Sequence, residues 1–367
     1  IALLILLGAE IALFALRASG FFQTTLGLLI LVVGLVASIA VLLLFVRTGR
    51  NPRAQQGTEG YIVGDVSKFD EREQVFSRAF LPPGSEQYQR FYAEHPELEV
   101  PDGRRREMGI PMGLPGSIDA PHAGPNVAAL FASLSIPHHL GNPHALQPEA
   151  SRFFGGERMA LSPEEATDRV KGLALSLGAN LVGIAEINPL WVYSTRGHIK
   201  DDNWARWGSE IELSHTFAIT FAIEMSREMV WTAPHSPAVV ESGLAYSKVA
   251  FVAAELASFV ANLGYSATAN HFQHYDVLLV PMAVDAGSGE VGRLGLLMTE
   301  EFGPRVRIGC VTTDLTLAPD SPVDIGIEGF CKVCKKCARC CPSGSISFDE
   351  PREVDGVLRW KLDAETC

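Results

Sequence analysis

The sequence has little positive charge for its length, and it contains no repeated segment. Lys and Arg number 30 against 42 Asp and Glu, which gives a formal net charge of −12. A nucleic-acid-binding surface needs an excess of basic residues, so this balance argues against a nucleic-acid partner. The 367 residues show no internal repeat and no low-complexity tract, so a repeat architecture is not expected.

Cysteine is scarce except in one stretch near the end of the chain, which holds five of the 7 cysteines. The dispersed pairs of a disulfide framework are missing, and the clustering indicates metal ligation in a reducing compartment. Cys331, Cys334, Cys337 and Cys341-Pro342 fit the ferredoxin spacing C-x2-C-x2-C-x3-C-P, which predicts a [4Fe–4S] cluster. A zinc site is the alternative, although zinc sites of this kind use two cysteine pairs separated by a longer loop.

The sequence predicts different roles for the other three cysteines and for the basic residues within the cysteine run. Cys340 is offset by one from the ferredoxin spacing, so we expect a buried structural thiol that points away from the cluster. Cys310 lies in an apolar stretch and is predicted to be core, whereas Cys367 suggests the start of a second cysteine run. The basic residues form either a solvated face or a docking patch for an acidic electron donor. They are Lys332, Lys335, Lys336 and Arg339.

Two apolar runs open the sequence, Ile1 to Leu16 and Phe21 to Val46. The second is long enough to cross a bilayer as a helix, which needs about 20 residues. The first is shorter and carries Glu10, so we interpret it as a clipped helix of a fragment. We therefore predict two transmembrane helices within residues 1–46 and a multi-pass anchor in the cell membrane. Three arginines after the second run, against one between the runs, predict a soluble part on the cytoplasmic face. They are Arg47, Arg50 and Arg53, against Arg17.

The rest of the chain divides into three predicted regions. Residues 47–155 are rich in Pro, Gly and His and are predicted to be an irregular wrapping segment with short helices. Ser162-Pro163-Glu164-Glu165 is typical of a helix start, with Ser as the cap and Glu three residues later. Strands alternating with helices indicate an α/β layer architecture over residues 156–320, followed by a cysteine-rich module over residues 321–367. The predicted strands are Leu181 to Ala185, His215 to Ile223 and Asp276 to Val284. The predicted long helix is Ser242 to Leu263, and the apolar stripe predicted on one of its faces consists of Val249, Val252, Leu256, Val260 and Leu263.

A glycine-rich stretch matches the dinucleotide-binding pattern G-x-G-x-x-G at Gly287, Gly289 and Gly292. That motif requires a helix that opens at the glycines and faces the pyrophosphate. Gly295 and Pro304 oppose a helix there. We predict instead that the glycines let the backbone pass close to a flat, bulky ligand.

The stretch from Val280 to Phe348 closely resembles the core of corrinoid-dependent reductive dehalogenases. The likeness extends upstream through "LGANLVGIAEINPLWVYS" (Leu177 to Ser194) and "RFYAEHPELE" (Arg90 to Glu99). The resemblance implies a nitroreductase-like α/β domain that holds a base-off cobalamin beside two [4Fe–4S] clusters, followed by a small ferredoxin-like module. "WKLDAETC", which ends in Cys367, resembles the start of the second cluster motif. The sequence contains no D-x-H-x-x-G motif, which fits a cobalamin without a histidine ligand from the protein.

The resemblance also implies particular site residues. The proton donor of the family is a Tyr near the start of a helix, and Tyr246 matches it. The cationic partner of that Tyr matches Arg307, and Arg305 is a less favoured candidate for the same role. A neighbouring cation stabilises a phenolate, so such a Tyr can transfer a proton near neutrality. The alternatives are core packing for Tyr246 and a surface position for Arg307. Asn270 matches an Asn that lines the pocket of the family. The other predicted cofactor-binding residues are Gly287, Gly289, Gly292 and Arg293. The implied metal ligands are Cys331, Cys334, Cys337, Cys341 and Cys367. Four aromatic residues are predicted either to form pocket walls or to be ordinary packing residues, namely Trp191, Tyr193, Trp204 and Trp207.

The implied reaction is reductive cleavage of a carbon–halogen bond of an organohalide, with two electrons and a proton, through Co(I) cobalamin. The two clusters would deliver electrons from a ferredoxin, a flavodoxin or a quinol-linked carrier. One alternative is an epoxyqueuosine reductase-like enzyme. Such an enzyme would have a basic surface, a carboxylic acid side chain as the proton donor and no membrane anchor. The other is a non-catalytic, membrane-anchored electron carrier of the ferredoxin type, which would bind no corrinoid.

Overall fold

The computed structural model describes residues 51–108, 123–140, 157–199, 203–272 and 274–367, together with isolated helical positions between 25 and 37. The chain divides into two units, Ile1–Arg50 and Asn51–Cys367. The first predicted membrane run lies outside the described residues, and only the isolated positions of the second are described. Among these, Leu29, Val33 and Val36 have apolar side chains that are at least 60% exposed.

The strands of the second unit form one central sheet and two short hairpins. In chain order they are β1 (Leu181–Glu186), β2 (Phe217–Glu224), β3 (Ala267–Asn270), β4 (Glu290–Val291), β5 (Leu297–Met298), β6 (Val306–Thr313), β7 (Arg352–Val354) and β8 (Val357–Arg359). The central sheet has the order β1-β2-β6-β3, and every pairing in it is antiparallel. The hairpins are β4-β5 and β7-β8. The first two predicted strands are confirmed to within two residues.

Helices surround this sheet, which gives the described part a mixed helix-and-sheet architecture. In chain order they are α1 (Val75–Phe80), α2 (Glu86–Glu94), α3 (Pro96–Met108), α4 (Ala123–Ser133), α5 (Ser135–His139), α6 (Pro163–Ser176), α7 (Arg227–Trp231), α8 (Ser236–Asn262), α9 (Leu279–Asp285), α10 (Ile327–Cys334) and α11 (Lys336–Cys340).

The long helix α8 packs against the central sheet through one apolar face. The predicted stripe is confirmed, since Val249, Val252, Leu256 and Val260 are completely buried. Each such side chain stabilises the fold by about 1.5–3 kcal/mol relative to an exposed position. Gly309 in β6 allows the close contact, because a Cβ there would lie 2.6 Å from both the Phe221 ring and Val249. Cys310, next to this glycine, is fully buried, as predicted.

Among the described residues, one helix is long and apolar enough to cross a membrane, and that helix is α8. Its buried face packs on β6 and β3, so its composition is that of a core helix.

The helix α6 begins as its sequence predicts. Ser162 is the N-cap, and its Oγ accepts a hydrogen bond from the Glu165 backbone N–H at 3.2 Å. Pro163 occupies the first turn, where a missing N–H costs nothing. After the helix, Gly178 adopts φ +104°, a conformation that glycine reaches without strain.

The prediction of a strand from Asp276 to Val284 is wrong, because the second half of this stretch is the helix α9. The run is short and continuously apolar, and such a pattern does not distinguish a strand from a buried helix. Pro281 lies in the first turn of the helix, where its missing N–H leaves no hydrogen bond unmade.

The wrapping segment is more helical than predicted and is tied to distant parts of the chain. Residues 75–108 form three successive helices. Arg78 is 3% exposed and donates to Asp102 at 2.8 Å and to Glu365 at 2.6 Å. Arg105 also contacts both carboxylates. Since a buried charge is costly without a partner, these pairs fix the segment against residues near the end of the chain.

The hairpin β7-β8 turns at Asp355 and Gly356, which have φ of +53° and +76°. Two successive residues with positive φ are typical of a type I′ turn, for which Asp-Gly is a preferred pair. The hairpin approaches the wrapping segment, because the backbone N–H groups of Val63 and Gly64 donate to Gly356 O.

Candidate active site

Tyr246 and Arg307, the two predicted catalytic residues, lie next to each other. Tyr246 is half-buried on α8, and Arg307 lies on the adjoining strand β6. The guanidinium carbon of Arg307 lies 5.0 Å from the centroid of the Tyr246 ring. Arg307 Nη2 also donates to Ser242 Oγ at 2.7 Å, one helical turn before Tyr246. The arrangement holds a cation against the face of the phenol ring.

Arg305, the less favoured candidate, has other partners. Its Nη1 donates to Glu224 Oε1 at 2.8 Å and to Met225 O at 2.6 Å, at the end of β2. Arg307 therefore fits the cationic partner of Tyr246 better than Arg305. The catalytic roles themselves stay a prediction.

Two further aromatic side chains approach Tyr246. The ring of Phe272 lies 4.6 Å from the ring of Tyr246, tilted by 34°. Tyr275 stacks against His198, with the two ring centroids 5.3 Å apart. Burial raises the pKa of the Tyr275 phenol well above its usual value, and the nearby Glu71 and Tyr246 add to this increase. Tyr275 therefore remains a neutral hydrogen-bond donor and acceptor at physiological pH.

Asn270, a predicted cofactor-binding residue, is fully buried in β3. Its Nδ2 donates to Thr268 O at 3.0 Å, and its Oδ1 accepts from the Asp276 backbone N–H at 2.7 Å. These contacts shape the turn between β3 and Asp276. The side-chain amide thus has structural partners within the chain, and a role toward a cofactor stays a prediction.

A buried group of charges supports the same turn. Arg196 donates to the Asp276 carboxylate and lies 3.5 Å from Glu71 Oε2, and all three side chains are at most 10% exposed. Glu71 Oε2 also accepts from the backbone N–H groups of Gly197 and His198, at 2.8 and 3.0 Å. Burial opposes the charge on Asp276, yet His274 and Arg196 hold its pKa well below the usual range. Burial raises the pKa of Glu71, against the opposing charge of Arg196.

Because His271 is buried, we expect the free energy of unfolding to depend on pH. Burial, with help from His274, lowers its pKa from 6.5 to about 4. As the pH falls, the unfolded chain therefore binds a proton first, so stability is complete above pH 6.5 and decreases between pH 6.5 and about 4. The loss amounts to at most roughly 3 kcal/mol. We expect the melting temperature to decrease less steeply with falling pH in His271→Gln than in the wild type. An equal pH dependence of the melting temperature in the two proteins would show that His271 is not the titrating group.

A cavity of about 710 Å³ lies between the wrapping segment, α9 and the hairpin β7-β8. Apolar and aromatic side chains line most of it, including Trp191, Tyr193 and Trp360. Two carboxylates, Glu290 and Glu328, are among the polar groups at its wall. Its volume and mostly apolar lining are typical of a site for a small organic molecule.

Hydrogen bonds connect this cavity to the surroundings of Tyr246. Gln74 and Tyr193 both line the cavity, and Gln74 Nε2 donates to Tyr193 Oη at 2.6 Å. On the other side, Tyr275 Oη donates to Gln74 Oε1 at 3.2 Å. A ligand in the cavity would therefore be separated from Tyr246 by one layer of polar and aromatic side chains.

The four aromatic residues predicted to be pocket walls fall into two groups. Trp191 and Tyr193 line the cavity. Trp204 and Trp207 pack elsewhere, in a cluster with Phe91 and Tyr92 of α2.

The glycine-rich stretch follows α9 and leads into the hairpin β4-β5, and the next helix begins only at Ile327. The helix that a dinucleotide site requires is therefore not formed after these glycines. A Cβ at Gly287 would lie 2.6 Å from Ser321 O, and a Cβ at Gly289 would overlap Met298 O. A Cβ at Gly292 would lie 2.7 Å from the Met298 side chain. The close approaches at these three glycines are thus between segments of the chain itself, and their contact with a ligand stays a prediction.

Arg293 lies against the cysteine run and is 1% exposed. Its backbone N–H donates to Cys331 Sγ at 3.5 Å, and its Nε and Nη2 donate to Cys331 O. Its Nη1 donates to Ser347 O and Asp349 O, both at 2.7 Å. This residue therefore joins the start of the cysteine run to the chain that follows it.

The cysteines of the predicted cluster surround a tight turn between two short helices. Cys331 and Cys334 are three residues apart on α10, and Cys337 lies on α11. Lys335, with φ +48°, connects the two helices in a left-handed conformation that is unusual for a side-chain-bearing residue. Burial raises the pKa of the Cys331 thiol, and the neighbouring Cys337 and Cys334 add to the increase. The first three cysteines are thus close enough to influence one another.

The other three cysteines near the end of the chain differ in their surroundings. Hydrogen bonds, the largest from Ser343, lower the pKa of the Cys341 thiol to about 7, which favours the thiolate that a metal binds. Cys367 is exposed. The prediction of a buried thiol at Cys340 is wrong, because this side chain at the end of α11 faces solvent.

Within the described residues, no three His, Cys, Asp or Glu side chains converge on a point that could hold a single metal ion. In a [4Fe–4S] cluster each cysteine binds a different iron, so four thiolates need not meet at one point. The cluster itself stays a prediction that rests on the cysteine spacing, the turn at Lys335 and the thiol environments.

Sequence reasoning missed the cluster of Glu71, Arg196 and Asp276 and the link through Gln74. These residues are more than a hundred positions apart in places, and no spacing rule connects them. The hairpin β7-β8 that closes the cavity was also missed, although its Asp355-Gly356 pair between valines is a recognised turn signal.

Comparison with known proteins confirms the predicted resemblance to reductive dehalogenases. The chain is 36% identical over 265 residues to a tetrachloroethene reductive dehalogenase of Dehalobacter restrictus, a match that covers 60% of the chain and 47% of that protein. A tetrachloroethene reductive dehalogenase of Sulfurospirillum multivorans is 35% identical over 238 residues, covering 56% of the chain and 46% of that protein. The chain thus spans about half the length of the curated relatives it matches. No protein-family model matches it.

Superposition on solved structures also shows similarity to reductive dehalogenases. A solved reductive dehalogenase structure, described as suggesting a mechanism for B12-dependent dehalogenation, superposes with a TM-score of 0.64 and 25% identity. The match covers 88% of this chain and 41% of that one. The catabolic reductive dehalogenase NpRdhA in complex with 3-bromo-4-hydroxybenzoic acid superposes with a TM-score of 0.60 and 27% identity, over 82% and 38% of the two chains.

Proposed function

We propose that this chain, which is similar in sequence and fold to reductive dehalogenases, is the corrinoid-binding part of such an enzyme. The reaction would replace the halogen of an organohalide by hydrogen, consuming two electrons and one proton and releasing halide. The observation that carries the proposal is the Arg307 guanidinium over the Tyr246 ring, one layer of side chains away from a large cavity. An oxidoreductase of this class needs a proton donor, and the Tyr246 hydroxyl is the group that we propose for this role.

In this proposal Tyr246 Oη donates the proton to the carbon that loses the halide. The Arg307 guanidinium lies over the phenol ring, and its hydrogen bond to Ser242 fixes the guanidinium in position. Phe272 packs against the phenol ring and excludes water from that side. Reprotonation of Tyr246 from solvent completes the cycle.

The 710 Å³ cavity is the proposed site of the corrinoid, which when bound supplies the two-electron reduction of the carbon–halogen bond. The lining fits such a group, since Trp191 and Tyr193 offer flat apolar surfaces and the carboxylates and Gln74 offer hydrogen bonds to polar substituents. Base-off binding, without a protein histidine on the metal, is part of the proposal.

The position of the cavity supports electron delivery from the cysteine run. Trp360 lines the cavity, and its ring lies 4.8 Å from the guanidinium carbon of Arg293, which in turn contacts Cys331. We propose that Cys331, Cys334, Cys337 and Cys341 hold one [4Fe–4S] cluster in a ferredoxin-like module. Cys367 would be the first ligand of a second cluster. The donor would be a ferredoxin, a flavodoxin or a quinol-linked carrier.

The apolar residues 1–46 are the proposed membrane anchor. The exposed side chains of Leu29, Val33 and Val36 on helical positions are apolar, and a bilayer would cover them. The arginines that follow would place the second unit on the cytoplasmic face.

The test is anaerobic purification of the full-length protein followed by cofactor analysis and a dehalogenation assay. We expect one corrinoid for each chain, together with iron and sulfide, and halide release from tetrachloroethene or a brominated phenol with a strong reductant. An electron carrier would contain iron and sulfide without cobalt and would release no halide, which would refute the proposal.

A further inference from the structure

Arg293 is 1% exposed, which is less than the buried Arg78 and Arg196. The groups around its guanidinium are uncharged, so they do not compensate its positive charge. Its guanidinium donates to the carbonyl oxygens of Cys331, Ser347 and Asp349. Trp360 covers one face of the group at 4.8 Å. Within the described part of the chain, no carboxylate forms a salt bridge with it, whereas the buried Arg78 and Arg196 each have two such partners.

A buried cation without an anion is costly, because carbonyl dipoles satisfy its hydrogen bonds but do not cancel its charge. Such a residue therefore indicates an anionic partner in the functional protein. A [4Fe–4S] cluster with four thiolate ligands carries a net negative charge, and the Arg293 backbone N–H already donates to Cys331 Sγ at 3.5 Å. The geometry also joins both flanks of the cysteine run, since Cys331 lies before the turn and Ser347 after it.

We propose that Arg293 is a positioning residue for the iron–sulfur cluster, and that its charge sets the reduction potential of that cluster. It would hold the two flanks of the cysteine run together, compensate the cluster charge and favour the reduced form. The inference rests on the iron–sulfur part of the proposed function and gives Arg293 a role that differs from the predicted contact with the corrinoid.

The test compares Arg293→Gln and Arg293→Lys in the full-length protein, reconstituted anaerobically with iron and sulfide. The measurements are iron and sulfide content and a redox titration of the cluster followed by electron paramagnetic resonance. Reduction becomes harder when a nearby positive charge is removed, and hydrogen bonds and net charge near the sulfurs set such potentials. For Arg293→Gln we expect one of two results. Either the protein loses the cluster, or the ratio of reduced to oxidised cluster at a fixed potential is about tenfold lower than in the wild type. A tenfold change of this ratio corresponds to a shift of the reduction potential by about 59 mV for one electron. Arg293→Lys retains the charge and should keep the cluster with a potential near that of the wild type.

Arg339→Gln is the matched control, because Arg339 is an exposed cation on the same cysteine run. Solvent screens its charge, so its removal should shift the potential much less. If Arg293→Gln and Arg293→Lys behave alike, whether both keep or both lose the cluster, the charge is not what the cluster needs and the inference is wrong. That outcome is independent of corrinoid binding and halide release, which test the proposed function separately.

Discussion

Replacing Tyr246 by Phe should slow halide release by about 10²–10⁴-fold, the range that a positioned general acid contributes. Phe keeps the aromatic ring beneath the Arg307 guanidinium and against Phe272, so packing is retained and only the hydroxyl is lost. Corrinoid, iron and sulfide contents should therefore equal those of the wild type. The measurement is the rate of halide release from a fixed amount of cofactor-loaded enzyme under a strong reductant.

Tyr265→Phe is a matched control for this experiment. Tyr265 also has an arginine over its ring, with the Arg158 guanidinium carbon 5.1 Å from the centroid, and its hydroxyl donates to Met159 O at 3.0 Å. It lies away from the cavity and from Tyr246, so its removal should leave turnover unchanged. Wild-type turnover in Tyr246→Phe would show that another group supplies the proton.

Replacing Arg196 by Met should lower the free energy of unfolding by about 3–5 kcal/mol, the cost of removing one partner from a buried ion pair. The change leaves the Glu71 and Asp276 carboxylates buried at the turn beside Tyr275, without the cation that holds them there. Halide release should fall as well, because that turn supports the hydrogen bond from Tyr275 to Gln74. Denaturant unfolding monitored by circular dichroism measures the loss.

The control for this variant is Arg169→Met, which removes the same side chain from an exposed pair. Arg169 donates to Glu165 at 2.7 Å on α6, and both side chains are about half exposed. Exposed pairs typically contribute about 0.2–1 kcal/mol, so this loss should be several times smaller. Equal losses in the two variants would mean that the buried group contributes no more than a surface ion pair.

The sequence predicts those elements of the fold that local patterns determine. The cap at Ser162, the stripe on α8 and the strands β1 and β2 follow from spacing and periodicity, and the structure confirms them. The helix α9 was predicted as a strand, because the eight apolar residues from Val277 to Val284 carry no period. Burial against the sheet, which only the folded chain provides, decides its conformation.

In the candidate site, too, local patterns predict some residues and leave other contacts unpredicted. The ferredoxin spacing and the resemblance direct attention to the cysteine run, Tyr246 and Arg307, and the structure brings Tyr246 and Arg307 together. No local pattern predicts that Arg293 faces Cys331 or that Glu71 meets Arg196, because each pair depends on how distant segments pack. Residues of the wrapping segment show little periodicity, yet they complete both the cavity and the buried charges.

The clamp of Arg78 and Arg105 on Glu365 has a consequence for the kinetics of folding. Glu365 lies 287 residues from Arg78, so this contact closes most of the second unit into one loop. Contacts of such sequence separation form slowly, because the chain loses loop entropy before the contact contributes any stabilisation. The stretch that carries Cys367 should therefore become ordered late, after the preceding helices have docked, and any metal assembly that depends on this cysteine would be among the last steps of maturation.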